Sequence, residues 1–323
     1  MFFYGSDSDD DCMLAPQRRQ LRDKSDPLSL NKNQFRQCFR VSREAFKNIL
    51  ETTEFPQTSK SSAIPSTLKL AATLNLLASG SYQTNVGASF LLGMAQPTVS
   101  TIFSELISLL EETLCEKWIG LNTQSFNETK KHYFDKFKIP GVVGCIDGTH
   151  IPILRPTKDE HMYFNRKGFH SINAMIITDH NYRILAINPR FGGAAHDSFV
   201  WDMSAEREFF EENFRNEESR LLGDSGYCLA PWLLTPYRNA IANYGSGEEK
   251  FNSIHSTARC SIERGIGVLK SRWRCLSSDR KLRYSPKKIT AIINFQFQYP
   301  CHVHVQCPQK LKESRPTLLP YIH

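Results

Sequence analysis

Three acidic residues lie where a folded chain does not ordinarily place charge. Asp147 closes the apolar run of GCIDGTH, Asp224 follows the leucines of LLGDSGYCL, and Glu263 lies in SIERGIGVLK. Dehydrating a carboxylate is costly unless a cation compensates, and three acids gathered in one unit would repel one another and drive their pKa values apart. A divalent metal answers both problems. Magnesium or manganese takes hard oxygen ligands, so two or three carboxylates and a substrate phosphate complete a site. A pair of such ions about 4 Å apart activates a water on one side and stabilises a leaving oxygen on the other, the chemistry of phosphodiester cleavage. Turn formation accounts equally well for Asp147 or Asp224 taken singly, because each precedes Gly or Ser-Gly. Asp197, in GGAAHDSFVW, is a fourth candidate ligand. It also suits a helix start, where dipole and orphan amides favour an aspartate. His196 beside it could orient a phosphate or a water.

The elements that must position these acids follow from period and punctuation. GVVGCID, SINAMIITD and YRILAINPRF are β-rich runs separated by turns, and they predict a three-stranded antiparallel meander with Asp147 at the end of its first strand. DSFVWDMSAEREFFEENF reads as one helix and RLLGDSGY as a short buried strand ending at Asp224. IHSTARCSIERGIGVLKSRWRCL reads as a long helix that would lower Glu263 over the sheet edge. The order β-β-β-α-β and then α predicts an α/β sheet with helices against it. The long helix also carries Arg264, Lys270, Arg272 and Arg274, candidates for holding a phosphate backbone near the acids. Trp273 among them reads as core.

Upstream, residues 1–30 are polar, begin with an acidic cluster and are expected to be disordered. Residues 31–120 read as a helical domain. Phe35, Phe39, Phe46 and Leu50 recur at helical intervals, with Ser42 placed to cap the second helix. In QTNVGASFLLGMAQPTVSTIF a short helix through Ala88 and Leu91 is expected to stop at Gly93, and another to start near Gln96, where Pro97 suits the first turn. Ser89 and Gly93 have the spacing of a tightly packed helix-turn-helix, and Gln96, Thr98, Ser100 and Thr101 would then face a DNA groove. An ordinary helical hairpin fits the same residues. Residues 121–140 are expected to be a linker, 141–298 the sheet domain and 299–323 a divergent tail.

The chain has 323 residues and a formal net charge of +7. From Arg259 onward 13 Lys and Arg face 3 Asp and Glu, an excess that attracts polyanions, nucleic acid first among them. Nine cysteines with no CxxC pair are expected to be reduced thiols, which points to an intracellular protein. No run of about 18 apolar residues suggests a membrane span. Cys301, His302, His304 and Cys307 are too close in sequence for one tetrahedral zinc site.

Together, GCIDGTH, GGAAHDSFVW, LLGDSGYCL, ARCSIERGIGVLKSRWRCL and SPKKITAII resemble the PIF/Harbinger transposases and the nucleases derived from them, and FRVSREAFKNIL is similar to that family's N-terminal signature. The resemblance spans about residues 34–294. It implies an RNase H-like fold and a DDE triad binding Mg²⁺ or Mn²⁺, with Asp147, Asp224 and Glu263 as the triad and Asp197 as a further metal or active-site residue. It also implies DNA as substrate, a nuclear location with cytoplasm as a second compartment, and a Myb- or SANT-like partner protein. A homo-oligomer is compatible with it. The chain departs from the family at NFQFQYPCHVHVQC, which replaces a Leu-His-Asn ending, and at Gly265, a mid-helix glycine costing about 1 kcal/mol relative to Ala.

Overall fold

A computed structural model describes residues 8–55, 63–118, 121, 126–214, 219–238, 245–277 and 281–298. Before the sheet the described residues form seven α-helices: α1 (Ser8–Asp23), α2 (Lys32–Phe39), α3 (Arg43–Thr52), α4 (Ser66–Ser79), α5 (Gln83–Gly87), α6 (Gln96–Trp118) and α7 (Phe126–Phe137). The sheet follows as β1 (Val142–Pro152), β2 (Ser171–Thr178), β3 (Ile184–Gly192), β4 (Arg220–Leu222) and β5 (Leu233–Leu234). Between β3 and β4 lie α8 (Asp197–Asp202) and α9 (Ala205–Phe214), and after β5 the described residues form α10 (Gly247–Arg272) and α11 (Pro286–Gln298).

Strand order is β3-β2-β1-β4-β5. β1, β2 and β3 pair antiparallel as the turn signals predict, whereas β4 pairs parallel to β1 and β5 parallel to β4. Every residue of β2 is buried, which is what a strand covered on both faces requires. Its side chains divide with period two: Ile172, Ala174 and Ile176 join the core under the N-terminal helices, and Met175 and Ile177 join the core under α8 and α9. A third apolar cluster, with Tyr133 from α7 and Ala258 and Ile262 from α10, packs on Val142, Cys145 and Leu222. α10 thereby spans the seam where β1 meets β4.

The N-terminal helices are built as their residues dictate. Asn31 Oδ1 accepts from Gln34 N at 2.9 Å to cap α2, and Ser42 Oγ accepts from Ala45 N at 3.1 Å to cap α3. Phe35, Phe39 and Phe46 meet ring to ring, with centroids 4.8 to 5.8 Å apart. This cluster is continuous with Trp273, with Ile289 and Ile292 of α11, and with Ile151 and Ile153 at the end of β1. One core therefore joins the helices to the sheet.

Several sequence expectations are corrected. Within the segment expected to be disordered, α1 forms and packs on Gly93, where a Cβ would lie 2.6 Å from Arg18 O. Gly93 has φ +51, and its lack of a side chain admits the helix. The close approach at Gly93 is thus to α1 and not to α6. The short helix ends at Gly87, ahead of the expected stop. The expected linker contains α7, whose Phe126, Thr129 and Tyr133 are buried on one stripe of an otherwise charged helix. The single helix expected from Asp197 breaks at Ser204, whose Oγ caps the next helix by accepting from Arg207 N at 3.1 Å. Cys38, Cys145, Cys228, Cys260 and Cys275 are free. No helix among the described residues is long and apolar enough to cross a membrane. The tail and its Cys301, His302, His304 and Cys307 lie outside the described residues.

Candidate active site

Asp147 does not end β1, which runs five residues further. Its position relative to β4 explains its exposure to chemistry. β4 last pairs with β1 at Cys145 and Leu222, so Asp147 lies just past the point where the parallel neighbour peels away. On its other side β1 stays paired to β2, with Asp147 opposite Ile176. Asp147 Oδ1 accepts from Gly148 N at 2.9 Å, and Oδ2 accepts from Arg259 Nη1 at 3.1 Å. The side chain is 17% exposed. Burial lifts its pKa to about 6 despite the guanidinium of Arg259, and the charge of Asp224 adds to the rise.

Asp224 stands two residues beyond β4, where its Oδ1 accepts from Gly226 N at 2.8 Å. That bond is an Asx turn, so the turn-forming reading of this residue holds alongside its place at the strand end. The charge of Asp224 is felt at Asp147, at the Tyr227 hydroxyl and at Arg259. Glu263 lies on α10 one turn after Arg259 and accepts from its Nη2. Arg259 thus holds Asp147 and Glu263 on one guanidinium.

Asp197 is the first residue of α8, with His196 at the cap position and making no side-chain cap bond. The Asp197 carboxylate turns instead toward the sheet, where Oδ1 accepts from Asn173 Nδ2 at 2.7 Å. It rests against the backbone of Gly148, and a Cβ on that glycine would overlap it. Only glycine fits there, next in sequence to Asp147. Asp197 is therefore packed against the neighbour of Asp147 in β1, on the sheet face that carries Met175, whereas Asp147 lies opposite Ile176.

Two buried polar atoms have no hydrogen-bond partner among the described residues in this neighbourhood: the Tyr227 hydroxyl and Asn173 Oδ1. Such atoms are costly to bury and are ordinarily satisfied by water, ion or ligand. Burial and the charges of Asp197, Asp147 and Asp224 raise the Tyr227 pKa well above its ordinary value, which keeps the phenol protonated and able to donate. All four acids offer hard oxygens, and the donor set fits Mg²⁺ or Mn²⁺ in kind. No group of three or more His, Cys, Asp or Glu among the described residues is placed to hold one ion. The geometry instead pairs Asp147 with Glu263 through Arg259, pairs Asp197 with Asn173, and leaves Asp224 acting by charge on Asp147.

The expected phosphate-holding cations divide. Arg264 and Arg274 are exposed. Lys270 turns inward, donating from Nζ to His150 O at 2.9 Å, and burial lowers its pKa to about 8. Arg272 donates from Nη2 to Arg40 O, tying α10 to the N-terminal helices. Trp273 is fully buried, as core. At the start of α6, Gln96 Nε2 donates to Gln83 Oε1 at 2.7 Å, while Thr98 and Ser100 are half-buried. Arg259, Tyr227 and Asn173 were not singled out from sequence. For Arg259 the signal was there: an arginine four residues before a candidate catalytic glutamate on one helix face.

Residues 146–297, which contain all four acids and Arg259, match the family model described as DDE superfamily endonuclease. The chain carries a DDE superfamily endonuclease domain. Over 238 residues it is 31% identical to the cattle (Bos taurus) protein named "Putative nuclease HARBI1", covering 73% of this chain and 66% of that one. The human protein of the same name is 30% identical over 239 residues, with the same coverage. An Arabidopsis thaliana protein named "Protein ALP1-like" is 28% identical over 266 residues, 75% of this chain and 64% of its own. The chain thus spans just under two thirds of these relatives, and homology to the harbinger-derived nucleases is established. No solved structure matches.

Proposed function

We propose that the chain is a transposase-derived, divalent-metal-dependent DNA nuclease with an RNase H-like core, in which Asp147, Asp224 and Glu263 form the catalytic triad and Asp197 is a further metal ligand. The carrying observation is that Arg259 ties Asp147 of β1 to Glu263 of α10, while the charge of Asp224 acts on the same buried Asp147 carboxylate. Bound Mg²⁺ or Mn²⁺ would supply Lewis-acid charge for in-line attack on a phosphodiester. Asp147 and Asp224 would hold that charge from the sheet, Asp197 from α8 and Glu263 from α10. Arg259 keeps Asp147 ionised and in place, and the Tyr227 phenol donates a hydrogen bond into the cluster. Arg264 and Arg274 would contact phosphates from the exposed side. Gln96, Thr98 and Ser100 at the start of α6 would meet DNA through the helix-turn-helix hairpin. A nuclear location and a Myb- or SANT-like delivery partner belong to the same reading.

One observation favours a second reading, a DNA-binding or protein-interaction factor without turnover: Arg259 already engages both Asp147 and Glu263, and no three described acids are set for one ion. Incubation of supercoiled plasmid with the protein and Mn²⁺ separates the two. Nicking by wild type that Asp224→Ala abolishes supports the nuclease. Equal nicking by both proteins, or by neither, overturns it.

A further inference from the structure

A cavity of about 450 Å³ opens between α4, α5, α6, α11 and the 281–284 segment, and it shares no lining residue with the carboxylate cluster. Its volume is that of a small-ligand site. Its chemistry is one-sided. Lys281, Arg283 and Lys288 supply three cations to the lining, together with the rings of Tyr82, Phe103 and Tyr284, and no carboxylate lines it among the described residues. Arg283 stacks over the Tyr82 ring at 5.5 Å, and the Lys288 ammonium sits 4.9 Å from the Phe103 centroid and 4.7 Å from that of Tyr284. Lys288 also donates to Ser104 Oγ. Half-buried and held by rings and a hydroxyl, this ammonium keeps a charge that an anion entering the cavity would neutralise. The rim is amide-rich. Gln96 Nε2 donates to Gln83 Oε1, and Gln83 Nε2 donates to Tyr284 Oη at 3.1 Å.

We propose that this cavity is a nucleotide-binding site that takes one base against Tyr82 and Tyr284 and its phosphate against Arg283 and Lys288. The pairing of aromatic rings with cations that carry no carboxylate partner among the lining residues is the means by which proteins hold single nucleotides without reading a duplex. Tyr82, 47% exposed, can receive a base from solvent, whereas Lys288 lies deeper and meets the phosphate. The choice of nucleotide as ligand rests on the reading of DNA as substrate; the site itself needs no metal and no catalysis. Its source is either a free nucleotide or an unpaired nucleotide of a DNA strand.

The test is binding in EDTA, where cleavage cannot intervene. Fluorescence anisotropy with a labelled single-stranded oligodeoxynucleotide compares wild type with Tyr82→Ala, Arg283→Ala and Lys288→Met. Tyr82→Ala is expected to weaken binding roughly tenfold, the effect of one lost stacking contact. The two cation variants are expected each to weaken it and to lower the salt slope by about one. Tyr82 and Arg283 are exposed, so their variants remain informative even if Lys288→Met fails to fold. Displacement of the strand by dAMP assigns a free-nucleotide source, and binding that dAMP cannot displace assigns the strand; each supports the site. Single-strand binding unchanged in Tyr82→Ala and Arg283→Ala overturns it, and so does inorganic phosphate competing as well as dAMP. Nicking lost in Asp224→Ala with this binding intact would leave both readings standing, and nicking absent from wild type with this binding intact would sink the nuclease alone.

Discussion

Replacing Asp147 by Asn should make the protein more stable at neutral pH while removing its nuclease function. Burial raises the Asp147 pKa from 3.8 to about 6, a net effect that already includes the opposing charge of Arg259. A shift of about two units corresponds to roughly 3 kcal/mol. A raised carboxylate contributes stability that is fully present below its unfolded pKa and lost as pH rises through the folded value, here from about 4 to above 6. Asn mimics the protonated acid and can still accept from Gly148 N. Wild type and Asp147→Asn should therefore have similar stability near pH 4, and the variant should gain up to about 3 kcal/mol by pH 7.5. For a chain of 323 residues that is roughly 4–5 °C in Tm. Thermal unfolding followed by circular dichroism from pH 4 to 8, without divalent metal, measures the difference. A Tm difference that stays constant across this range would refute the assignment of Asp147 as a buried, costly charge.

Other perturbations bear on the same neighbourhood. Arg259→Ala should destabilise by about 2–3 kcal/mol at pH 7.5 in urea unfolding, because it strands a mostly buried carboxylate, and the loss should shrink near pH 4.5 as Asp147 protonates; equal losses at both pH values would count against the pairing. Gly148→Ala should displace the Asp197 carboxylate, lowering stability by about 1–3 kcal/mol and nicking rate together, and a variant with wild-type rate would show that Asp197 is dispensable. Lys270 has its pKa lowered to about 8, so its charge costs stability below pH 8 and the cost is relieved as pH rises toward 10.5. Lys270→Met should accordingly match or exceed wild type in Tm at pH 7 and lose that advantage by pH 10. A constant difference over this range would place Lys270 in solvent.

The parts of the fold legible in sequence are those where one residue pattern answers to one physical demand. SINAMIIT is buried on both faces and reads as a strand in either direction of the argument. Phe35, Phe39 and Phe46 announce their helices by spacing, and Ser42 its cap. α7 was hidden because only its three buried positions carry the signal among lysines and other polar residues, and Tyr133 of that stripe makes sense only against β1. β5 is two residues long and exists by pairing to β4. The four acids were legible as charges at the edge of apolar runs. Their electrostatic linkage was not, since it depends on Arg259 reaching from α10 to β1 across 112 residues of sequence. The inward turn of Arg272 to Arg40 O was equally invisible, because a basic helix face looks the same whether it meets solvent or another backbone.

The central claim is that Asp147, Asp197, Asp224 and Glu263 serve one divalent cation centre. Mn²⁺ titration of the intact protein by electron paramagnetic resonance tests it most directly, comparing wild type with Asp147→Asn, Asp197→Asn, Asp224→Asn and Glu263→Gln. The account predicts saturable Mn²⁺ binding by wild type that each of the four substitutions weakens at least tenfold. Binding of equal strength in wild type and all four variants, or no saturable binding by folded wild type, would contradict it.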